Sequence, residues 1–184
     1  MFSNAKAIET KYKGYKFRSR LEARWAVYLD AIGWEWLYEP EGFDLDGIRY
    51  LPDFLISGMS DQGNLWKLWL EIKPEKPNEI ESVKAEKLVM HTGIDLVFGI
   101  GIPDPEKLTH GLNGFFVHYP FEKIINNKLI PVPMTAPVEI SLDWYCFIKW
   151  ERPGYFMGKS KIDWETISAC DKAKEARFEF NDSK

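Results

Sequence analysis

Residues Tyr50 to Ile56, "YLPDFLI", set a proline and then an acid at the start of what is otherwise an apolar strand. A second apolar run, "LWKLWLEIK" (Leu65 to Lys73), follows after the polar stretch "SGMSDQGN", and the two read as the arms of a hairpin. In the second arm side chains alternate faces, so Leu68, Leu70 and Ile72 point one way and Trp69, Glu71 and Lys73 the other. Gln62, midway between positions 53 and 71, lies inside the polar turn, so folding the hairpin there sets Asp53 roughly opposite Glu71.

Two carboxylates held close repel each other, and the arrangement persists only with a lysine or a hard divalent cation between them. Mg²⁺ suits one Asp and one Glu, with waters, a backbone carbonyl and substrate phosphate completing its octahedron. Lys73 beside such an ion would hold or deprotonate an attacking water and stabilise charge on a phosphorane, which is the chemistry of a phosphodiester hydrolase. The plainer reading stays open: Asp53 as a turn residue after Pro52, Glu71 and Lys73 as a solvent-facing ion pair, and Glu22 as a helix cap.

Working outward, Leu21, Trp25, Tyr28, Leu29 and Ile32 recur at helical spacing, which predicts a helix over 19–32. "SRLE" has capping-box form at its start and Gly33 stops it. "WEWLYE" alternates as a strand, and "FDLDGIRYL" reads as a hairpin turning at Asp46-Gly47. Downstream, "NEIE" opens a surface helix over 78–91 that closes before Gly93, and "IDLVFGIGI" is a buried strand, so strand, helix and strand make a right-handed parallel crossover. Past Pro103, "GFFVHYPF" and "DWYCFIKW" are expected as strands, the proline-broken "IPVPMTAPVEI" as a connector, and 164–180 as a closing helix.

The 184 residues suffice for one compact domain with a sizeable core. No apolar run is long enough for a membrane span and no signal-peptide pattern opens the chain, so the expected location is cytoplasmic, away from membranes. Cys146 and Cys170, far apart, suggest neither a disulfide framework nor a zinc site. His91, His110 and His118 lack metal-ligand spacing and are read as structural or surface residues; most of the eight tryptophans are read as core. The net charge of -4 argues against a protein that coats polyanions, yet Lys6, Lys11, Lys13, Lys16, Arg18, Arg20 and Arg24 crowd the first segment.

"RSRLEARWA" (18–26), "YLPDFLI" and "WLEIKP" (69–74) resemble the three successive motifs of the PD-(D/E)XK nuclease superfamily, over residues 12–102. The layout is similar to small phage-encoded endonucleases, junction-resolving enzymes included, and "EIKP" also resembles transposon end-cleaving and phage head-completion nucleases. The resemblance implies an α/β fold: a restriction-endonuclease-like αβββαβ core with a mixed sheet in 1–103, and an extension, 104–184, of further strands and a closing helix packed on it. It implies that Asp53 and Glu71 bind Mg²⁺ or Mn²⁺ with the Ile72 backbone carbonyl, that Lys73 serves the nucleophilic water, and that Glu22 completes the acidic cluster. Lys16, Arg18, Arg20 and Arg24 would then grip phosphates, or else offset the acids.

The implied function is a metal-dependent DNA endonuclease of a bacterial cell, phage-encoded in origin, acting on DNA that includes branched forms, as a homodimer where two strands are cut. Pro74, where many such enzymes have glycine, points to the transposon-like group. Two alternatives remain open: a catalytically silent module binding nucleic acid or a host protein, and a ribonuclease or end-processing exonuclease.

Overall fold

The first described element is a motif that the sequence pattern does not predict. Lys13 and Gly14 both take positive φ, 47° and 83°, the geometry of a tight two-residue hairpin turn. They join β1 (Thr10–Tyr12) to β2 (Tyr15–Phe17). Phe17, fully buried, packs with tilted rings against Tyr38 at 4.4 Å and Trp36 at 6.0 Å between ring centroids, which docks the hairpin on the sheet. These contacts and the following polar turn deliver the chain to Ser19, the N-cap of α1 (Arg20–Ala31).

The computed structural model describes residues 8–59, 63, 65–105, 115–125, 128–137 and 164–178. After α1 come β3 (Glu35–Tyr38), the hairpin β4 (Phe43–Leu45) and β5 (Ile48–Tyr50), then β6 (Phe54–Met59) and β7 (Leu65–Lys73). They are followed by α2 (Glu79–Thr92), β8 (Leu96–Ile100), β9 (Phe115–Ile125), β10 (Lys128–Pro137) and α3 (Trp164–Glu175). Six strands form one mixed sheet in the order β10-β9-β8-β7-β6-β3; only the β7–β8 pair, joined through α2, is parallel. The fold is thus mixed α/β with a mixed sheet and three helices among the described residues.

Strand alternation decides which helix each face receives. Leu68, Leu70 and Ile72 of β7, with Phe54 and Ile56 of β6, form a core with Trp25 and Leu29 of α1 and Ala169, Cys170 and Ala173 of α3. Trp69 of β7 and Leu96 and Phe98 of β8 face the other way, onto Ala85, Leu88 and Val89 of α2. Truncating one such buried leucine to alanine would cost about 2–5 kcal/mol. The capping box expected at "NEIE" is complete in α2, and Gly93 closes that helix in the left-handed conformation, φ 69°.

The β4–β5 hairpin turns at Asp46 and Gly47 as expected, φ 56° and 83°, and forms a two-stranded sheet of its own. Its Leu45, Phe43 and Tyr50 pack with the α2 core. "IPVPMTAPVEI", expected as a connector, runs instead along β10 to Pro137. Prolines are tolerated there because β10 is an edge strand, and the register slips between Val132 and Met134, at Pro133. Of the expected strand "GFFVHYPF", Phe115 to Phe121 lie in β9; the expected closing helix is α3 but stops at Glu175; "DWYCFIKW" lies outside the described residues.

Candidate metal and phosphate site

The β6–β7 register carries the acids to one place. Phe54 pairs with Leu70, so one step further Asp53 stands opposite Glu71, and the Asp53 amide donates to Glu71 Oε2 at 3.2 Å. Asp53, Glu71 and Glu22 are all buried, at 4%, 5% and 8% exposure. Buried acids are rare unless paired, and each of these is held by several donors.

Pro52 explains part of the geometry. In the continued register it stands opposite Ile72, in a position that would exchange two backbone hydrogen bonds, but proline has no N–H to give. The Ile72 N–H turns to Asp53 Oδ2 instead, at 2.7 Å, and the Ile72 carbonyl on the same side of the strand receives no amide from Pro52. A proline before the acid therefore lets the carboxylate enter the ladder at this point.

The second oxygen of each carboxylate faces a side-chain cation. Asp53 Oδ1 takes Arg18 Nη2 at 2.7 Å, and Glu71 Oε1 takes Lys73 Nζ at 3.1 Å. Arg18 also meets Glu39 at 2.5 Å through Nε, where Glu39 holds a left-handed backbone, φ 45°. Lys73 reaches Glu81, at the start of α2, at 2.9 Å. Glu22 accepts from Ser19 Oγ at 2.7 Å, from the Arg18 amide at 3.1 Å and from Tyr38 Oη at 2.5 Å.

The electrostatics follow from this crowding. Burial, then the charge of Glu71, pushes the Asp53 carboxyl up to about 8, although the Ile72 amide and Arg18 pull the other way. Burial works against the Lys73 charge, yet Glu71 and Glu81 together raise its pKa, so it is an ammonium. Burial raises the Tyr50 phenol too, aided by Glu71, to which it is hydrogen-bonded, and by Asp53. Burial and a hydrogen bond to Glu22 do the same to Tyr38.

Among the described residues no three His, Cys, Asp or Glu side chains form a ready cage for an ion. Mg²⁺ does not require one, since it is usually bound through one or two carboxylates and keeps several waters. The donor set fits such an ion: backbone amides fix one oxygen of Asp53 and one of Glu71, and the remaining oxygens face cations that an ion would displace.

Of the residues singled out from sequence, Glu22, Asp53, Glu71, Lys73 and Arg18 are brought together. The other basic residues are used differently. Lys16 pairs with Glu9 at 2.7 Å, across from Lys11 in the first hairpin. Arg24 donates to the Ala173 and Lys174 carbonyls at the end of α3, where a cation satisfies groups the helix leaves unpaired. Arg20 opens α1, and the Arg24 pKa is lowered by burial and then by the charge of Arg20. The capping box expected at "SRLE" is only half made: Ser19 Oγ accepts the Glu22 amide, but the Glu22 carboxylate takes Ser19 Oγ, the Arg18 amide and Tyr38 instead of the Ser19 amide.

Four contributors escape the sequence reading in this role: Tyr38, Glu39, Tyr50 and Glu81. Glu81 was legible in principle, because a crossover helix starts beside the end of the strand it follows and so brings its first-turn acid near Lys73. Comparison with protein-family models, curated proteins and solved structures finds no match.

Proposed function

We propose that this protein is a metal-dependent nuclease of the PD-(D/E)XK kind, hydrolysing phosphodiester bonds of DNA. The observation that carries the reading is the register-opposed pair Asp53 and Glu71, buried, each with one oxygen fixed by a backbone amide and the other turned to a side-chain cation. The succession α1, β3, β6, β7, α2, β8, with the β4–β5 hairpin inserted, supports the αβββαβ core that the sequence motifs imply.

Asp53 and Glu71 would hold Mg²⁺ or Mn²⁺, with the Ile72 carbonyl, left without an amide from Pro52, as a third donor. Such an ion, when bound, acidifies a water and neutralises charge on the phosphoryl group. Lys73, an ammonium beside Glu71 and Glu81, would stabilise the phosphorane as the water oxygen bonds to phosphorus and the ester P–O bond breaks, the water's proton passing to solvent and the departing oxygen taking one from solvent. Glu22, bonded to the Arg18 amide and Tyr38, orients the acidic edge of the site.

The Arg18–Asp53 ion pair favours a second reading, a nuclease-fold module whose site is closed by its own arginine and which only binds nucleic acid or a protein. One experiment separates the two: incubate supercoiled, linear, single-stranded and four-way-junction DNA, and RNA, with Mg²⁺ or Mn²⁺. Cutting that EDTA and Lys73→Ala both abolish supports the nuclease and ranks its substrates. Folded protein that cuts none of them leaves the binding module.

A further inference from the structure

We infer that Glu81, in the first turn of α2, is a positioning residue for Lys73. The inference rests on the nuclease reading and names a further residue on which that site depends. Glu81 Oε1 lies 2.9 Å from Lys73 Nζ, while its other oxygen accepts the Asn78 amide at 2.9 Å. The Glu81 amide in turn donates to Asn78 Oδ1 at 3.0 Å. The carboxylate is therefore clamped by the capping box of α2, and it carries the helix's position to the Lys73 ammonium.

Lys73 has two anchors, Glu71 and Glu81, and they are not equivalent. Glu71 Oε1 is the oxygen an ion would claim, so ion binding weakens the first anchor. Glu81 stands outside the Asp53–Glu71 pair and keeps the second. A lysine carries four rotatable side-chain bonds, and loss of its remaining carboxylate would let the ammonium leave the phosphate it stabilises. Glu81 thus acts through Lys73 and touches neither ion nor substrate.

The test must separate positioning from capping. Glu81→Gln keeps an acceptor for the Asn78 amide, since glutamine also forms capping boxes, but removes the charge that holds the ammonium. Asn78→Ala breaks the cap and leaves Glu81 its carboxylate. With the full chain and plasmid DNA, Glu81→Gln should lower kcat about 10- to 100-fold, within the range of a misplaced catalytic group, with KM unchanged. It should leave Mg²⁺ affinity by calorimetry within about twofold, because the Asp53–Glu71 pair is untouched. Asn78→Ala should lower Tm by about 2–4 °C, as expected for loss of a cap, with kcat largely kept.

A readout independent of turnover is the ¹H–¹⁵N signal of the Lys73 ammonium, visible when carboxylates protect its protons from exchange. It should persist with Mg²⁺ added in the wild type and vanish in Glu81→Gln. An active wild type with Glu81→Gln equally active overturns the inference, as does equal loss of kcat in both variants or a large loss of Mg²⁺ affinity in Glu81→Gln. A wild type that cuts nothing overturns the nuclease reading itself, a failure visible before any variant is compared.

Discussion

At the scale of single residues, Asp53 concentrates the cost of the site. Burial and the charge of Glu71 push its carboxyl up to about 8 in the folded chain, whereas an unfolded aspartate ionises near pH 3.9. Between those values the folded state binds more protons than the unfolded one, so this group's contribution to stability is fully present at low pH and is lost as pH rises through about 8. Asp53→Asn keeps an acceptor for the Ile72 amide and removes the charge. Arg18 is not stranded by the change, since its side chain is 55% exposed and keeps Glu39. The metal-free variant should therefore be more stable than the wild type at pH 8 by about 1–2 kcal/mol, with the difference closing toward pH 4. Urea titrations at pH 4, 6 and 8 would decide it, and a variant less stable at pH 8 would mean the carboxylate is already fully compensated.

Arg18 makes a second prediction at this scale. It occupies the Asp53 oxygen that an ion would take, so Arg18→Ala should bind Mg²⁺ about tenfold more tightly, the effect of removing one competing charge-assisted contact worth roughly 1.4 kcal/mol. Calorimetry on the apo-protein reads it directly; unchanged or weaker binding would show that Arg18 is no competitor.

At the scale of elements, legibility follows the strength of the local signal. The β6–β7 register was readable because a polar turn fixed the fold point and one face had to be apolar, and a slip by one residue would have moved Glu71 into the core of α1. The β1–β2 hairpin was not readable, because "KYKGYKF" is as basic as an unstructured arm and its anchors, Phe17 and Tyr15 on Trp36 and Tyr38 and Tyr12 on Asp30, meet partners distant in sequence. β10 was hidden by its prolines, which exclude a central strand but not an edge. Packing gives Gly99, in β8, its reason: a Cβ there would lie 2.9 Å from both Ile72 Cδ1 and Trp25 Cζ2. Trp25 is pinned by a hydrogen bond from Nε1 to the Gly101 carbonyl at 2.9 Å and cannot easily withdraw. Gly99→Ala should cost about 1–3 kcal/mol through overpacking, measured by chemical denaturation, and wild-type stability would mean that Trp25 moves freely.

At the scale of the whole molecule, the question is how a chain of net charge -4 could hold a polyanion. The sequence offered four cations for phosphates. The structure ties Lys16 to Glu9, Arg18 to Asp53 and Glu39, and Arg24 to the end of α3, so these cations are already engaged inside the fold. Each phosphate neutralised contributes about -0.9 to the slope of log K against log salt. Metal-free protein should therefore bind duplex DNA weakly, with a shallow slope of about -1 to -2. An ion taking Asp53 would release Arg18 toward a phosphate, and with Ca²⁺ present the affinity should rise and the slope steepen by about one contact. Fluorescence anisotropy over a salt series measures both, with Arg18→Ala as the comparison: in that variant Ca²⁺ should no longer steepen the slope. A steep slope without any ion would sink the argument, because it would require a basic surface other than the paired residues. A slope that Ca²⁺ steepens equally in both proteins would place the released cation elsewhere, with Lys73, freed from Glu71 by the same ion, the first to test.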